Sequence, residues 1–168
     1  LATAGGWVAA RGSGLRSFAS GRIEQLYPGG TLEAPAGTFE MPPFPASAAG
    51  PDLRQLVLGS EGRLGILTDV ILRTSPLPEV DPLEAYALPG WGAGHECVRA
   101  IAQARIGLSV LRLSTPGESH TLLAFADRPA QIRALSTYLR VRRQPQDWAL
   151  LLVGAAGRKR LAKAARAE

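Results

Sequence analysis

Gly50-Pro51-Asp52-Leu53-Arg54-Gln55-Leu56-Val57-Leu58-Gly59-Ser60-Glu61-Gly62-Arg63-Leu64-Gly65-Ile66-Leu67-Thr68 is the stretch on which the reading of this chain turns. Pro51 suits the first position of a helix, and Asp52 in the first turn favours the positive end of its dipole. Leu53, Leu56 and Val57 share one helical face, and Gly59 suits the left-handed residue that ends a helix. After the helix, glycines recur at every third position, Gly59, Gly62 and Gly65. Without Cβ atoms such a loop can turn sharply and aim backbone N–H groups at an anion. Taken alone, it is more often a plain turn between a helix and a strand. The strand that follows puts Leu64, Ile66, Thr68, Val70 and Leu72 on one face and Leu67, Asp69, Ile71 and Arg73 on the other.

Upstream, residues 1–21 are rich in Gly, Ala and Ser and read as a loop with short helical turns. Strand-like pieces are expected at 22–27, 31–34 and 38–41, separated by the turn signals Pro28-Gly29-Gly30 and Ala36-Gly37. Downstream, Ser75-Pro76-Leu77-Pro78-Glu79 with Asp81-Pro82 is the best domain boundary, a linker over 76–82. Beyond it, strands are expected at 83–88, 108–113, 120–126 and 148–153. Helices are expected at 95–105, with Cys97, Val98, Ile101 and Ala102 inward, and after an Asp127 cap, with Ile132, Leu135 and Leu139 at helical spacing. A basic helix closes the chain. This alternation predicts an α+β arrangement of sheet against helices.

Composition excludes several classes. The 168 residues are 46% apolar and 20% charged, which allows a core and argues against disorder. One cysteine, Cys97, rules out an internal disulfide; with His95 and His120 far apart, no metal site is expected. No apolar run approaches the roughly 20 residues that span a bilayer, and the start lacks a signal-peptide pattern. The net charge is +5, much of it near Arg158-Lys159-Arg160. The basic residues lack interleaved aromatics, so a solvated helix face is expected there and no nucleic acid. The sequence starts at Leu1 inside a Gly-rich segment and ends in a helical pattern; both ends read as cut from a longer protein.

The longer string around Gly59 resembles the FAD-binding segment of vanillyl-alcohol-oxidase-type flavoproteins, in which a helix leads into Gly-Ser-Glu-Gly-x-Leu-Gly-Ile/Val-x-Thr. The start, Thr3-Ala4-Gly5-Gly6-Trp7-Val8-Ala9-Ala10-Arg11-Gly12-Ser13-Gly14, is similar to the Gly-Gly segment of that family's alkyldihydroxyacetonephosphate synthase branch. The resemblance implies FAD as cofactor. It implies flavin contacts from Thr3, Gly5, Gly6, Ala10, Arg11, Gly12 and Ser13, and from Glu61, Gly62, Arg63, Leu64, Gly65, Ile66 and Leu67, mostly through backbone. It also implies a long strand through Ile23-Glu24-Gln25-Leu26 and a hairpin at Pro35-Ala36-Gly37-Thr38. At Pro28-Gly29-Gly30 the chain departs from the family, through an interruption or a bulge.

The resemblance continues over 99–113, which looks like the synthase branch's first helix and strand of the substrate (cap) domain. In that branch the arginine matching Arg112 is important for activity. An arginine among alternating apolar strand residues is out of place unless it faces a cleft or a carboxylate, and it could hold an anionic substrate group bidentately. Residues 1–75 are thus expected to be the later part of a PCMH-type FAD-binding domain, an antiparallel sheet with helices. Residues 83–168 are expected to begin an α+β cap domain. For the whole protein two chemistries are implied: oxidation of a hydroxy-acid-like substrate, or exchange of an acyl for an alkoxy group on dihydroxyacetone phosphate. Its partners would be FAD and a small anionic substrate, in the cytoplasm, with a homodimer left open. A non-enzymatic remnant of a truncated flavoprotein is the competing reading.

Overall fold

The computed structural model describes residues 2–45, 49–125, 129–143 and 145–159. It divides into two compact units, Leu1–Leu77 and Pro78–Glu168. The elements of the first are α1 (Ala4–Ala9), α2 (Ser17–Ser20), α3 (Ile23–Leu26), β1 (Gly29–Ala34), β2 (Gly37–Met41), α4 (Arg54–Val57) and β3 (Ile66–Ile71). Those of the second are β4 (Leu83–Leu88), α5 (Gly90–Ala104), β5 (Val110–Ser114), α6 (Pro116–Phe125), α7 (Pro129–Val141) and β6 (Ala149–Gly154). No helix of the described residues is long and apolar enough to cross a membrane.

In the first unit an antiparallel sheet runs in the order β2-β1-β3. The hairpin turns at Pro35-Ala36 between Ala34 and Gly37, where the sequence predicts it. Gly29 and Gly30 are not the predicted turn: they are the first residues of β1, in the centre of the sheet. A Cβ on Gly29 would lie 2.2 Å from the Met41 carbonyl oxygen, and one on Gly30 would lie 2.2 Å from that of Asp69. Glycine there permits close strand approach.

The register of β1 against β3 slips between Thr31, opposite Asp69, and Leu32, opposite Leu67. Thr68 is the extra residue, a β-bulge, and it flips the facing of the strand. Leu67 and Val70 therefore both pack on the core, against the strict alternation expected for 64–73. That core gathers Val8, Ile23, Tyr27, Leu32, Met41, Val57 and Leu58. Full burial of side chains such as Val8 and Val57 contributes about 1.5–3 kcal/mol each.

Two further expectations fail in this unit. The strand predicted at 22–27 is the helical turn α3, started where the Arg22 N–H donates to Gln25 Oε1 at 2.9 Å; Ile23 and Tyr27 thereby both reach the core. The helix predicted from Pro51 shrinks to α4. Asp52 instead accepts the Arg54 N–H at 3.1 Å, an Asx-type turn that starts the helix later. Gly59, at φ +79°, does take the left-handed position after the helix.

In the second unit the sheet order is β4-β6-β5, with β6 antiparallel to both neighbours. β4 and β5 are thus parallel and joined through α5, a split βαβ unit with β6 inserted. Leu108 and Ala155 are buried here, packed by Val80, Ile101, Ile106, Leu111 and Val153. The helix expected at 95–105 starts earlier, at Gly90, and its Ala102 is exposed rather than inward.

Of the strand predicted at 120–126, the described residues 120–125 belong instead to α6. Thr115 caps it by accepting the Glu118 N–H at 3.2 Å, and Pro116 fits the first turn. Ser119 is fully buried; its hydroxyl donates to the Thr115 carbonyl at 2.8 Å and accepts the Leu150 N–H at 3.1 Å, tying α6 to β6. Ile132, Leu135 and Leu139 do face inward on α7, whereas the predicted Asp127 cap and the closing basic helix from Arg160 onward fall outside the described residues. Trp148 is buried and meets His120 edge-on at 5.7 Å, whereas Trp91 is 46% exposed.

Candidate flavin site

The two glycine motifs, about fifty residues apart in the chain, lie side by side in the first unit. α1 begins at Thr3, whose hydroxyl accepts the Gly6 N–H at 3.1 Å. It ends at Ala10, exposed, whose N–H reaches the Gly6 carbonyl at 3.0 Å. From the other motif, the Gly59 N–H donates to the Val8 carbonyl at 3.2 Å and the Glu61 N–H to the Ala9 carbonyl at 3.0 Å. These bonds stitch the loop after α4 onto the C-terminal end of α1. They also occupy the N–H groups of Gly59 and Glu61, which are therefore not available to an anion.

The three glycines do different things. Gly65 serves packing: a Cβ there would sit 2.3 Å from the Glu33 carbonyl oxygen. Gly59 serves the helix end. Gly62, at φ +80°, is exposed, and a Cβ on it would meet nothing within 4 Å. Its backbone faces open space, which is where a ligand could approach. Gly5 lets α1 rest on β3, since its Cβ would come within 3.3 Å of Leu67 Cβ. Leu67 itself packs on the core, so its side chain is structural.

Arg11 is held at φ +49°. Its Nε donates to Glu24 Oε2 at 2.6 Å and its Nη2 to Gln55 Oε1 at 2.8 Å. The guanidinium clamps α3 and α4 to the end of α1. Hydrogen bonding from Arg11 holds the Glu24 carboxyl below its ordinary range, with further help from the Arg22 charge. The Gly12 N–H goes to the Trp7 carbonyl at 2.9 Å, and the Gly12 carbonyl accepts the Ile23 N–H at 3.3 Å.

Beyond Gly12 the chain opens into a hollow of about 620 Å³, lined among others by Trp7, Gly12, Ser13, Gly14 and Ile23. Trp7 and Ile66 leave 52% and 73% of their surface exposed, and Glu61, Arg63 and Leu64 are exposed beside them in sequence. Exposed apolar surface next to glycine backbone with open space suits a large, flat, partly apolar cofactor with an anionic tail.

The remaining predicted residue, Arg112, belongs to the second unit. It stands on β5, opposite Leu152 of β6, on the face away from Leu111 and Leu113. Of the two alternatives for an arginine there, a carboxylate is present: Arg112 Nη2 donates to Glu118 Oε1. The Arg112 hydrogen bond, first, and the Ser114 hydroxyl and Thr115 backbone, lesser, hold the Glu118 carboxyl below its ordinary range. Sequence reading missed Glu118. The signal was present in Thr115-Pro116-Gly117-Glu118, which has the Thr-x-x-Glu spacing of a helix start.

No protein-family model matches the chain. Among curated proteins, it is 34% identical over 114 residues to the alkyldihydroxyacetonephosphate synthase of Caenorhabditis elegans, a match covering 67% of this chain and 19% of that one. It is 33% identical over 115 residues to the uncharacterized FAD-linked oxidoreductase YgcU of Escherichia coli K12, covering 67% of this chain and 24% of that one. Its fold matches a solved alkyldihydroxyacetonephosphate synthase structure with a TM-score of 0.78 at 24% identity, over 97% of this chain and 30% of the other. These matches span about a fifth to a quarter of the curated relatives' length. The chain belongs to the FAD-linked oxidase family that includes the alkyldihydroxyacetonephosphate synthases.

Proposed function

We propose that residues 3–13 and 61–67 form one wall of an FAD site, and that Arg112 holds the anionic group of a substrate. In this reading the unit Leu1–Leu77 is the later part of the FAD-binding domain and the unit Pro78–Glu168 begins the substrate domain. One observation carries it: the backbone bonds Gly59 to Val8 and Glu61 to Ala9, which bring both motifs of the resemblance to one surface. Thr3 fixes the start of α1, the Arg11 clamp fixes its end, and Gly62 leaves room for the cofactor to approach backbone. The flavin supplies the reactive centre that side chains lack. The guanidinium of Arg112 suits a phosphate or carboxylate, which it can bind through two parallel hydrogen bonds.

The reaction class we favour is the synthase-like exchange, in which a fatty alcohol replaces the acyl group of acyl-dihydroxyacetone phosphate and a fatty acid leaves. The identity to the nematode synthase supports it. Oxidation of a hydroxy-acid-like substrate is the second reading, supported by the identity to the FAD-linked oxidoreductase. Incubating the full-length protein with acyl-dihydroxyacetone phosphate and a fatty alcohol separates them. Ether product formed without an electron acceptor supports exchange. Turnover of hydroxy acids only, with an acceptor required, supports oxidation.

A further inference from the structure

The Arg112 guanidinium engages a single protein group among the described residues, the Glu118 carboxylate, and does so through one nitrogen. Both side chains are partly exposed. Glu118 is itself fixed, because its N–H is capped by Thr115 Oγ1 at 3.2 Å in the first turn of a ten-residue helix. We infer that Glu118 is a positioning residue: it holds Arg112 by one nitrogen in a preset orientation, so that the rest of the fork receives the phosphate or carboxylate of the substrate. This rests on the reading of Arg112 as the anion-binding residue given above.

A carboxylate beside an anion site acts in two opposed ways. Its charge repels the incoming anion, while its hydrogen bond pre-organises the arginine, whose rotamer freedom would otherwise be lost on binding. The variants separate these. Glu118→Gln keeps an acceptor for Arg112 and removes the charge, whereas Glu118→Ala removes both. Titration of the full-length protein with inorganic phosphate, followed by calorimetry, reads the effect without turnover. Positioning predicts that E118Q binds phosphate as tightly as the unmodified protein or more tightly, and that E118A binds about fivefold more weakly. The rescue of affinity by Gln is a result that a general loss of fold does not produce, and an unchanged melting temperature in E118Q confirms it. Binding in E118A equal to or tighter than in the unmodified protein overturns the inference, because Glu118 would then be only a competitor. R112A separates the layers. Phosphate binding lost in R112A but unaltered in E118A sinks the inference alone. Absence of phosphate binding in the unmodified protein, or binding unchanged in R112A, sinks the anion-site reading and the inference with it.

Discussion

Gly65 and Gly62 sit three residues apart in one motif and face opposite demands. At Gly65 a methyl group would collide with the Glu33 carbonyl oxygen, 2.3 Å away, so G65A must push β3 off β1. We expect it to destabilise the first unit by about 2–3 kcal/mol, read by urea unfolding. At Gly62 nothing lies within 4 Å, and the only penalty is φ +80°. G62A should cost about 1 kcal/mol in stability while weakening flavin retention more than G65A does per unit of destabilisation. Arg54 makes a different residue-scale case. It grips Asp52 with Nε and Nη2, both at 2.8 Å, and reaches the carbonyls of Pro28 and Phe44 with Nη1, at 3.1 and 2.7 Å. This hydrogen bonding is the main cause of the lowered Asp52 pKa. A depressed carboxyl pKa contributes stability that is present above the unfolded value, about 3.9, and is lost as pH falls below it. R54A should therefore destabilise the unit by about 2 kcal/mol at neutral pH and lose part of the acid dependence, measured as melting temperature from pH 7 to pH 3.

Among the elements, β4 at Leu83–Leu88 was legible to the residue, because Pro82 and Pro89 bound a mostly apolar run of six residues, too short for most helices. The hairpin at Pro35-Ala36 was legible from its turn chemistry. α3 was not: Ile23, Leu26 and Tyr27 do have the i, i+3, i+4 spacing of a helix, but a single turn is too short for that spacing to stand out. α6 was misread for a related reason: apolar Leu122, Leu123 and Phe125 suggested a strand, and exposed Leu122 and Phe125 give the helix no apolar stripe. Its cap carried the information that its periodicity lacked. What holds α6 down is polar, through buried Ser119. S119A leaves the Leu150 N–H without its 3.1 Å partner and should cost about 1–3 kcal/mol in unfolding of the second unit. S119T, which keeps a hydroxyl, should recover some of the hydrogen-bonding loss while adding a methyl to a filled site. The β3 bulge at Thr68 was also beyond sequence reading, since it arises from pairing with a distant strand.

For the whole molecule, the candidate site was legible as a pair of motifs and not as a surface. No local pattern told that Gly59 and Glu61 would reach back to Val8 and Ala9, because those bonds join segments that only the fold brings together. Equally, the sequence could not divide labour among the glycines, which depends on what stands opposite each one. We propose that these two segments are a wall of a flavin site. The most direct test is to purify the full-length protein, denature it by heat, and identify the released chromophore by mass spectrometry. The account predicts FAD at about one per chain, and less after G62A. A protein that releases no flavin, and takes up none when refolded with excess FAD, would contradict it and leave the paired motifs as the remnant of a site.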